Sequence, residues 1–516
     1  MAFAADSSMP VTRRALIASG RSRLRPSLCS DASVLVQFGS FGKLRWDEAF
    51  GRRRLVSAFF VHRGLTTKDR LLTVLGQQCS DECPAPGDAS AGGAHPPETS
   101  GLWAVAAPPL ALSGAGTRAV PREHWSSAVA DWLGSAAMAG ASAVVVKHAR
   151  TNNALAVSFA NAAHGDAPVS EWVLQRCFSD PALVGHGACP EGAGAVGRAG
   201  EGPVKFSIRA NVLAVGRATV LVHSECLIHC ATGAWRASDW GSAERHISNH
   251  SVQRSSAAYD AAVHTMTLQQ LGAKMDGGEL ALWQFRPGTH ATGAAGGDYQ
   301  VGPVPWGCCG NGKGAPHVAD GSSAASVPPI AARAEEAASE DEAEPSGAEQ
   351  RLLGLVLEAV AALFARASAT GFGTEWLPQP GCFELFGVDF LPEWEADRLC
   401  LRLLEVNEGP ALGALAMPAA CARVAEDTWR VVADPWLETA RRCAAGGAPE
   451  ASSAAASGKC AWAASLGESL RFGSKLAGSE WVVALALTPS REEPSPVFLP
   501  EGFLAHAAGR LQREGE

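Results

Sequence analysis

The residues of this chain best suited to chemistry are an aspartate, a glutamate and an asparagine set inside two apolar runs. The runs are Phe383-Glu-Leu-Phe-Gly-Val-Asp-Phe-Leu391 and Leu401-Arg-Leu-Leu-Glu-Val-Asn-Glu-Gly-Pro-Ala-Leu412. Both are β-prone, and Pro, Glu, Asp and Arg lie between them, so they read as an antiparallel hairpin. Alternation along a strand puts Glu405 and Asn407 on one face. Asp389, at the end of the partner strand, reaches the same face. Two carboxylates and a carboxamide form an oxygen-only ligand set, which suits Mg²⁺ carried by a nucleotide phosphate rather than zinc. A hairpin with solvated acidic ends explains the glutamate in the turn but not acids inside apolar runs.

Cations stand upstream. Lys147 ends the run Val144-Val-Val-Lys147, and as a compact point charge it suits phosphate. Lys205 and Arg209 are four apart in Lys205-Phe-Ser-Ile-Arg209, hence on one face of a strand. Positioning these groups takes several elements, and 516 residues are enough for two or three domains. Residues 1–78 read as a small mixed domain, and 79–100, rich in Pro, Gly and Ala, as a linker. A central lobe follows over 101–185. A C-terminal lobe spans 186–285 and 347–443, interrupted by an acidic insertion at 286–346 without apolar periodicity, which reads as disordered. Leu352, Leu353, Val356, Val360 and Leu363 predict an amphipathic helix over 351–367, and 414–443 also looks helical. Residues 444–516 read as a flexible tail of unknown role.

The motifs together resemble the tubulin tyrosine ligase family. The hairpin pattern Phe-Glu-Leu-Phe-Gly-x-Asp-Phe followed by Leu-Leu-Glu-Val-Asn is similar to that family's metal-binding end. Val144-Val-Val-Lys147 resembles its phosphate-lysine strand, and Trp172-Val-Leu-Gln-Arg-Cys-Phe178 with Asp180-Pro181 its adenine segment. Lys205-Phe-Ser-Ile-Arg209 resembles its Lys-Phe-Asp-Ile-Arg, and His246-Ile-Ser-Asn-His-Ser-Val-Gln253 its His-Leu-Thr-Asn-His-Cys-Ile-Gln. Val11-Thr-Arg-Arg-Ala-Leu-Ile and Leu65-Thr-Thr-Lys-Asp-Arg-Leu-Leu are similar to pieces of its small N-terminal domain.

The resemblance implies an α/β (α+β) ATP-grasp fold, with mixed or antiparallel sheets and a small N-terminal domain. It implies an ATP- and Mg²⁺-dependent ligase that joins an amino acid to a carboxylate of tubulin's acidic tail through an acyl phosphate. Asp389, Glu405 and Asn407 would hold Mg²⁺. Lys147, Gln175, Arg176, Cys177, Phe178, His246 and Asn249 would hold ATP. Lys205 and Arg209 would be the catalytic cations. The wording Asn-His-Ser-Val-Gln leans towards tyrosine as the amino acid added. Glutamate or glycine addition, and a tubulin-binding protein without turnover, remain alternatives. An ATP-grasp ligase for a small peptide or metabolite is a more distant one.

The chain also departs from the family pattern. The loop after Lys147, His148-Ala-Arg-Thr-Asn-Asn-Ala-Leu, has no glycine. Ser207 replaces an aspartate, and Ser224 and His229 occupy positions where the family is basic. His229 replaces such a cation only when protonated. His223, Cys226, His229 and Cys230 are ligand types, but their spacing matches no common zinc site.

Net charge is −9, with acids at Glu335, Glu336 and Glu340–Glu344 and bases at Arg52, Arg53, Arg54, Lys68 and Arg70. A basic lobe beside a cleft attracts an acidic partner such as the tubulin tail. No nucleic-acid signature is present, and no apolar run approaches the roughly 20 residues that span a bilayer. Arg13, Arg14, Arg21, Arg23 and Arg25 among serines have the look of an organelle transit peptide. The family segments overlap them, which favours a folded start and a cytoplasmic, cytoskeleton-associated protein. The sequence leaves the oligomeric state open.

Overall fold

The computed structural model describes residues 2–5, 25–26, 34–39, 41–50, 55–68, 70–71, 74, 144–148, 157–160, 172–176, 180–186, 202–216, 219–236, 239, 241–286, 300–303, 347–370, 375–379, 382–395, 398–409, 417–434, 473–476 and 479–486. The described residues form a mixed α/β structure with three sheets. Strands β1 (Ala2–Ala5), β2 (Arg25–Pro26), β3 (Val34–Phe38) and β4 (Leu55–Val56) form a parallel sheet in the order β2-β1-β3-β4. Strands β5 (Val144–His148), β6 (Val157–Ala160) and β7 (Trp172–Arg176) form an antiparallel sheet with β5 in the middle.

The third sheet has ten strands and is antiparallel throughout. Its members are β8 (Leu183–His186), β9 (Val204–Val215), β10 (Thr219–His223), β11 (Leu227–Cys230), β12 (Thr265–Thr267), β13 (Leu280–Arg286), β14 (Gln300–Pro303), β15 (Phe383–Glu395), β16 (Arg398–Glu408) and β17 (Trp481–Ala486). The twelve residues of β9 organise it, pairing with β10 and β11 on one side and with β8 and β15 on the other. Alternation divides β9 into two faces. Phe206, Ile208, Ala210 and Val212 enter the main core, whereas Lys205, Ser207, Arg209 and Asn211 share the opposite face.

The long helix Gly347–Thr370 covers the core side. Leu352, Val356, Val360, Leu363, Phe364 and Ala367 recur at helical spacing and are fully buried. They pack with Phe386, Phe390 and Trp376 in one cluster. Burying a side chain such as Phe364 contributes roughly 1.5–3 kcal/mol. A smaller cluster behind β9 and β10 gathers Leu213, Leu221, Phe383, Trp429 and Trp481.

Several expected boundaries move. The hairpin extends beyond Asp389 to Glu395, and β16 begins at Arg398, so the expected turn residues are largely strand. The Pro392 carbonyl accepts from the Ala182 backbone N–H at 2.9 Å, so this part of β15 is buried against neighbouring chain. Leu183–His186 joins the large sheet rather than the β5–β7 sheet. Gln300–Pro303, inside the acidic insertion, pairs with β13. Trp481–Ala486, inside the expected tail, pairs with β10 and buries Trp481, Val482 and Val483. Among the described residues no helix is long and apolar enough to cross a membrane.

Candidate active site

Strand register builds the site. Arg209 of β9 lies directly opposite Asp389 of β15, and Asp389 lies directly opposite Glu405 of β16. Three neighbouring strands thus place a cation and two carboxylates in one row on one face. The Arg209 guanidinium donates from Nε and Nη2 to the Asp389 oxygens at 2.7 and 2.6 Å. This is the bidentate fork that makes arginine–carboxylate pairs strong. Asn407 donates from Nδ2 to Asp389 Oδ2 and to Glu405 Oε1, each at 3.3 Å.

The register of β15 and β16 slips beside this row, because Asp389 pairs with Glu405 but Phe390 pairs with Leu403. Leu404 is therefore the extra residue of a β-bulge, with a carbonyl that need not serve the ladder. Lys147, from the other antiparallel sheet, donates to that carbonyl at 3.2 Å. Lys68 closes the row at the far end, its Nζ 3.3 Å from Glu405 Oε2. Lys205 is buried on the same face of β9 as Arg209.

Four cations (Lys68, Lys147, Lys205 and Arg209) therefore gather round two carboxylates (Asp389 and Glu405). The surplus of positive charge suits a polyanion such as a nucleotide triphosphate. Burial pushes the Lys147 ammonium down to about 8, with Lys68 and Lys205 adding and Glu405 and Asp389 opposing. Burial, helped by Glu405, raises the Asp389 carboxyl against the pull of Arg209. Burial pushes Glu405 up too, but Lys147, Lys68 and Arg209 together outweigh it and leave its carboxyl below the usual range. The donors Asp389, Glu405 and Asn407 are hard oxygen groups brought together on one face. They fit Mg²⁺, provided the Asn407 amide turns its oxygen inward and the ion competes with Arg209 and Lys68.

The other expected residues fall out as follows. Gln175 and Arg176 lie in β7, in register with Val145 and Val144. Cys177 and Phe178 are outside the described residues, as is the loop after His148. His246 is buried, and its imidazole is pushed down to about 4 by burial first and then by the nearby Lys205. Asn249 spends its side-chain oxygen locally, accepting from the backbone N–H and the hydroxyl of Ser251 at the start of the helix His250–Gln253.

Ser207 accepts from the Ser248 hydroxyl at 2.8 Å, and Ser224 donates to Glu480 at 2.8 Å. His229 is pushed down to about 3 by burial, with Arg209 and His250 adding to the effect. It is therefore neutral at physiological pH and does not supply the cation that the resemblance leads one to expect at this position. Cys226 and Cys230 are thiols pushed up to about 12 by burial. His223 instead faces Asp427 at 3.3 Å.

The sequence reading missed the roles of Lys68, Arg70, Glu384 and His62. Lys68 and Arg70, read as part of a partner-attracting basic lobe, turn inward onto Glu405 and Glu375. Glu384, read only as part of the hairpin motif, is buried and pairs with His62. The signal for Lys68 was its place in the Thr-Thr-Lys-Asp segment. Nothing in the local sequence marks His62. Among the described residues, the group of His, Cys, Asp and Glu side chains able to surround a metal is His62, Glu384 and Glu408, and it includes none of His223, Cys226, His229 and Cys230.

Compared with protein-family models the chain matches none, and a search of curated proteins found no match either.

Proposed function

We propose that the chain is an ATP-grasp ligase of the tubulin tyrosine ligase type, acting in the cytoplasm on the acidic tail of tubulin. What supports this reading most is one juxtaposition. Lys147, from one sheet, reaches the bulge of β16, where Asp389, Glu405 and Asn407 of the other sheet lie on one face. A site made between two sheets, basic overall and with an oxygen ligand set at its centre, suits Mg-ATP.

Asp389, Glu405 and Asn407 would hold Mg²⁺, which when bound supplies neutralisation of the phosphate charge. Lys147 and Lys205 supply ammonium groups to the phosphates. Arg209 holds Asp389 in place through Nε and Nη2 and offers Nη1 to an anionic oxygen. The substrate carboxylate attacks the γ-phosphorus and releases ADP, giving an acyl phosphate. The amine of the incoming amino acid attacks the acyl carbon, phosphate leaves, and an amide remains. The residue wording favours tyrosine as that amino acid, with glutamate or glycine the alternatives.

One observation favours a second reading, a tubulin-binding protein without turnover. His229 is neutral where the family carries a cation, and Ser224 is bonded to Glu480. Calorimetric titration with Mg-ATP tests the primary reading. Binding by the wild type that is lost in Glu405→Ala and Asp389→Ala supports it. A wild type that binds no Mg-ATP overturns it.

A further inference from the structure

On the face of the hairpin opposite Asp389, two glutamates hold one histidine. Glu384 of β15 is buried, and Glu408 of β16 lies opposite Phe386 on the same side. His62 sits between them, Nδ1 2.6 Å from Glu384 Oε1 and Nε2 3.3 Å from Glu408 Oε2. The second oxygen of Glu384 accepts from the Phe59 backbone N–H at 3.0 Å. A neutral imidazole has one N–H and can donate to only one carboxylate, whereas the imidazolium donates to both. Two carboxylates flanking both ring nitrogens therefore describe an imidazolium clamp rather than a metal site, in which one ring nitrogen would face the ion.

The clamp is joined to the candidate site by a short piece of chain. Residues 55–68 lie against β15, β16, Glu375, Leu377 and Cys382. Val56 bridges to Cys382, Val61 bridges to Leu377, and Gly64 N–H donates to Glu375 O at 2.9 Å. Among the described residues β16 pairs only with β15, so it is an outer strand. His62 grips one face of its end, and Lys68, six residues on, meets Glu405 on the other face.

We propose that His62 is a positioning residue: clamped between Glu384 and Glu408, it fastens residues 55–68 around the edge of the hairpin and thereby sets Lys68 against Glu405. The consequence for nucleotide rests on the function proposed above, but the clamp itself does not. The charged groups facing the ring are Glu384, Glu408 and Arg63, with the Phe41 ring beside it at a centroid distance of 5.4 Å. Burial lowers the imidazole, but the two glutamates outweigh it and Arg63, so it is raised from its ordinary value. A raised histidine stabilises fully below its unfolded value of about 6.5 and loses that contribution as pH rises through the folded value. The proton left on the neutral ring stays on Nδ1, facing buried Glu384. The contact to Glu408 therefore opens first.

Hydrogen–deuterium exchange of residues 55–68 in the full chain without nucleotide, from about pH 6 to about pH 9 with intrinsic rates corrected, tests the clamp. Wild type should lose about tenfold protection in one step on the alkaline side. Glu408→Gln, at a half-exposed side chain that does not threaten folding, should move the step about one unit lower. His62→Gln should lack the step. Protection independent of pH in the wild type, or a step unmoved in Glu408→Gln, overturns the clamp.

Mg-ATP affinity is then measured over the same range. A wild-type profile that falls with the protection, and shifts with it in Glu408→Gln, supports the link to the site. A profile that ignores Glu408→Gln overturns the link. A wild type that binds no Mg-ATP at any pH overturns the proposed function and leaves the exchange result to decide the clamp.

Discussion

Arg209 and Asp389 face each other across β9 and β15 and share two hydrogen bonds of 2.7 and 2.6 Å. The pair is largely buried, so its two charges depend on each other. Arg209→Ala leaves an uncompensated carboxylate in the sheet and should cost about 3–5 kcal/mol of stability by urea denaturation. Adding Asp389→Asn should recover a large part of that loss, because neither member of the pair is then left charged without its partner. Arg209→Lys keeps the charge but loses the fork, so it should fall between wild type and Arg209→Ala.

Lys147 should make the proposed nucleotide site sensitive to alkali. Its ammonium is held down to about 8, so its charge is present at neutral pH and is lost as pH rises through that value. Its effect on stability has the opposite sign. The unfolded chain keeps this proton up to about 10.4, so this group favours the folded state increasingly from about pH 8 upwards. Mg-ATP affinity should therefore fall about tenfold between about pH 7 and about pH 9 even as this group's stability contribution rises. Lys147→Arg, whose charge does not titrate there, should flatten the part of the profile that Lys147 causes, as read by calorimetry.

Gly64 shows how closely the N-terminal segment docks. A Cβ there would lie 2.3 Å from Glu375 Cβ and 2.6 Å from the Glu375 carbonyl oxygen. Neither atom is the loose end of a side chain, so the segment itself must move. Gly64→Ala should cost about 1–3 kcal/mol in thermal or urea unfolding. It should also raise amide exchange over residues 55–68 and weaken Mg-ATP binding through Lys68.

The legible part of the fold was that governed by local periodicity. Alternation along Phe383–Leu391 and Leu401–Asn407 placed Asp389, Glu405 and Asn407 on one face, and the structure has them there. The spacing of Leu352, Val356 and Val360 marked a helix, which runs a turn further at its N-terminal end. Long-range register was not legible. The slip that exposes the Leu404 carbonyl to Lys147 depends on pairing between strands, and a single strand gives no sign of it. Trp481–Ala486 is too short to declare a sheet partner, so only its pairing with β10 assigns it. His62 and Glu384 are 322 residues apart, and neither position is unusual until the chain folds. Lys68 was visible but was read as surface charge, because sequence does not tell an outward lysine from one turned towards a carboxylate.

Ligase activity is measured by incorporation of labelled tyrosine, and separately of glutamate and glycine, into detyrosinated tubulin with Mg-ATP. Wild type runs beside Glu405→Ala. Wild type should incorporate tyrosine in an ATP-dependent manner, and Glu405→Ala should lose about a hundredfold or more in rate. Glutamate or glycine incorporation that Glu405→Ala abolishes keeps the chemistry and changes the amino acid. No incorporation of any of the three by wild type, with tubulin still bound, contradicts the ligase and supports a binding protein.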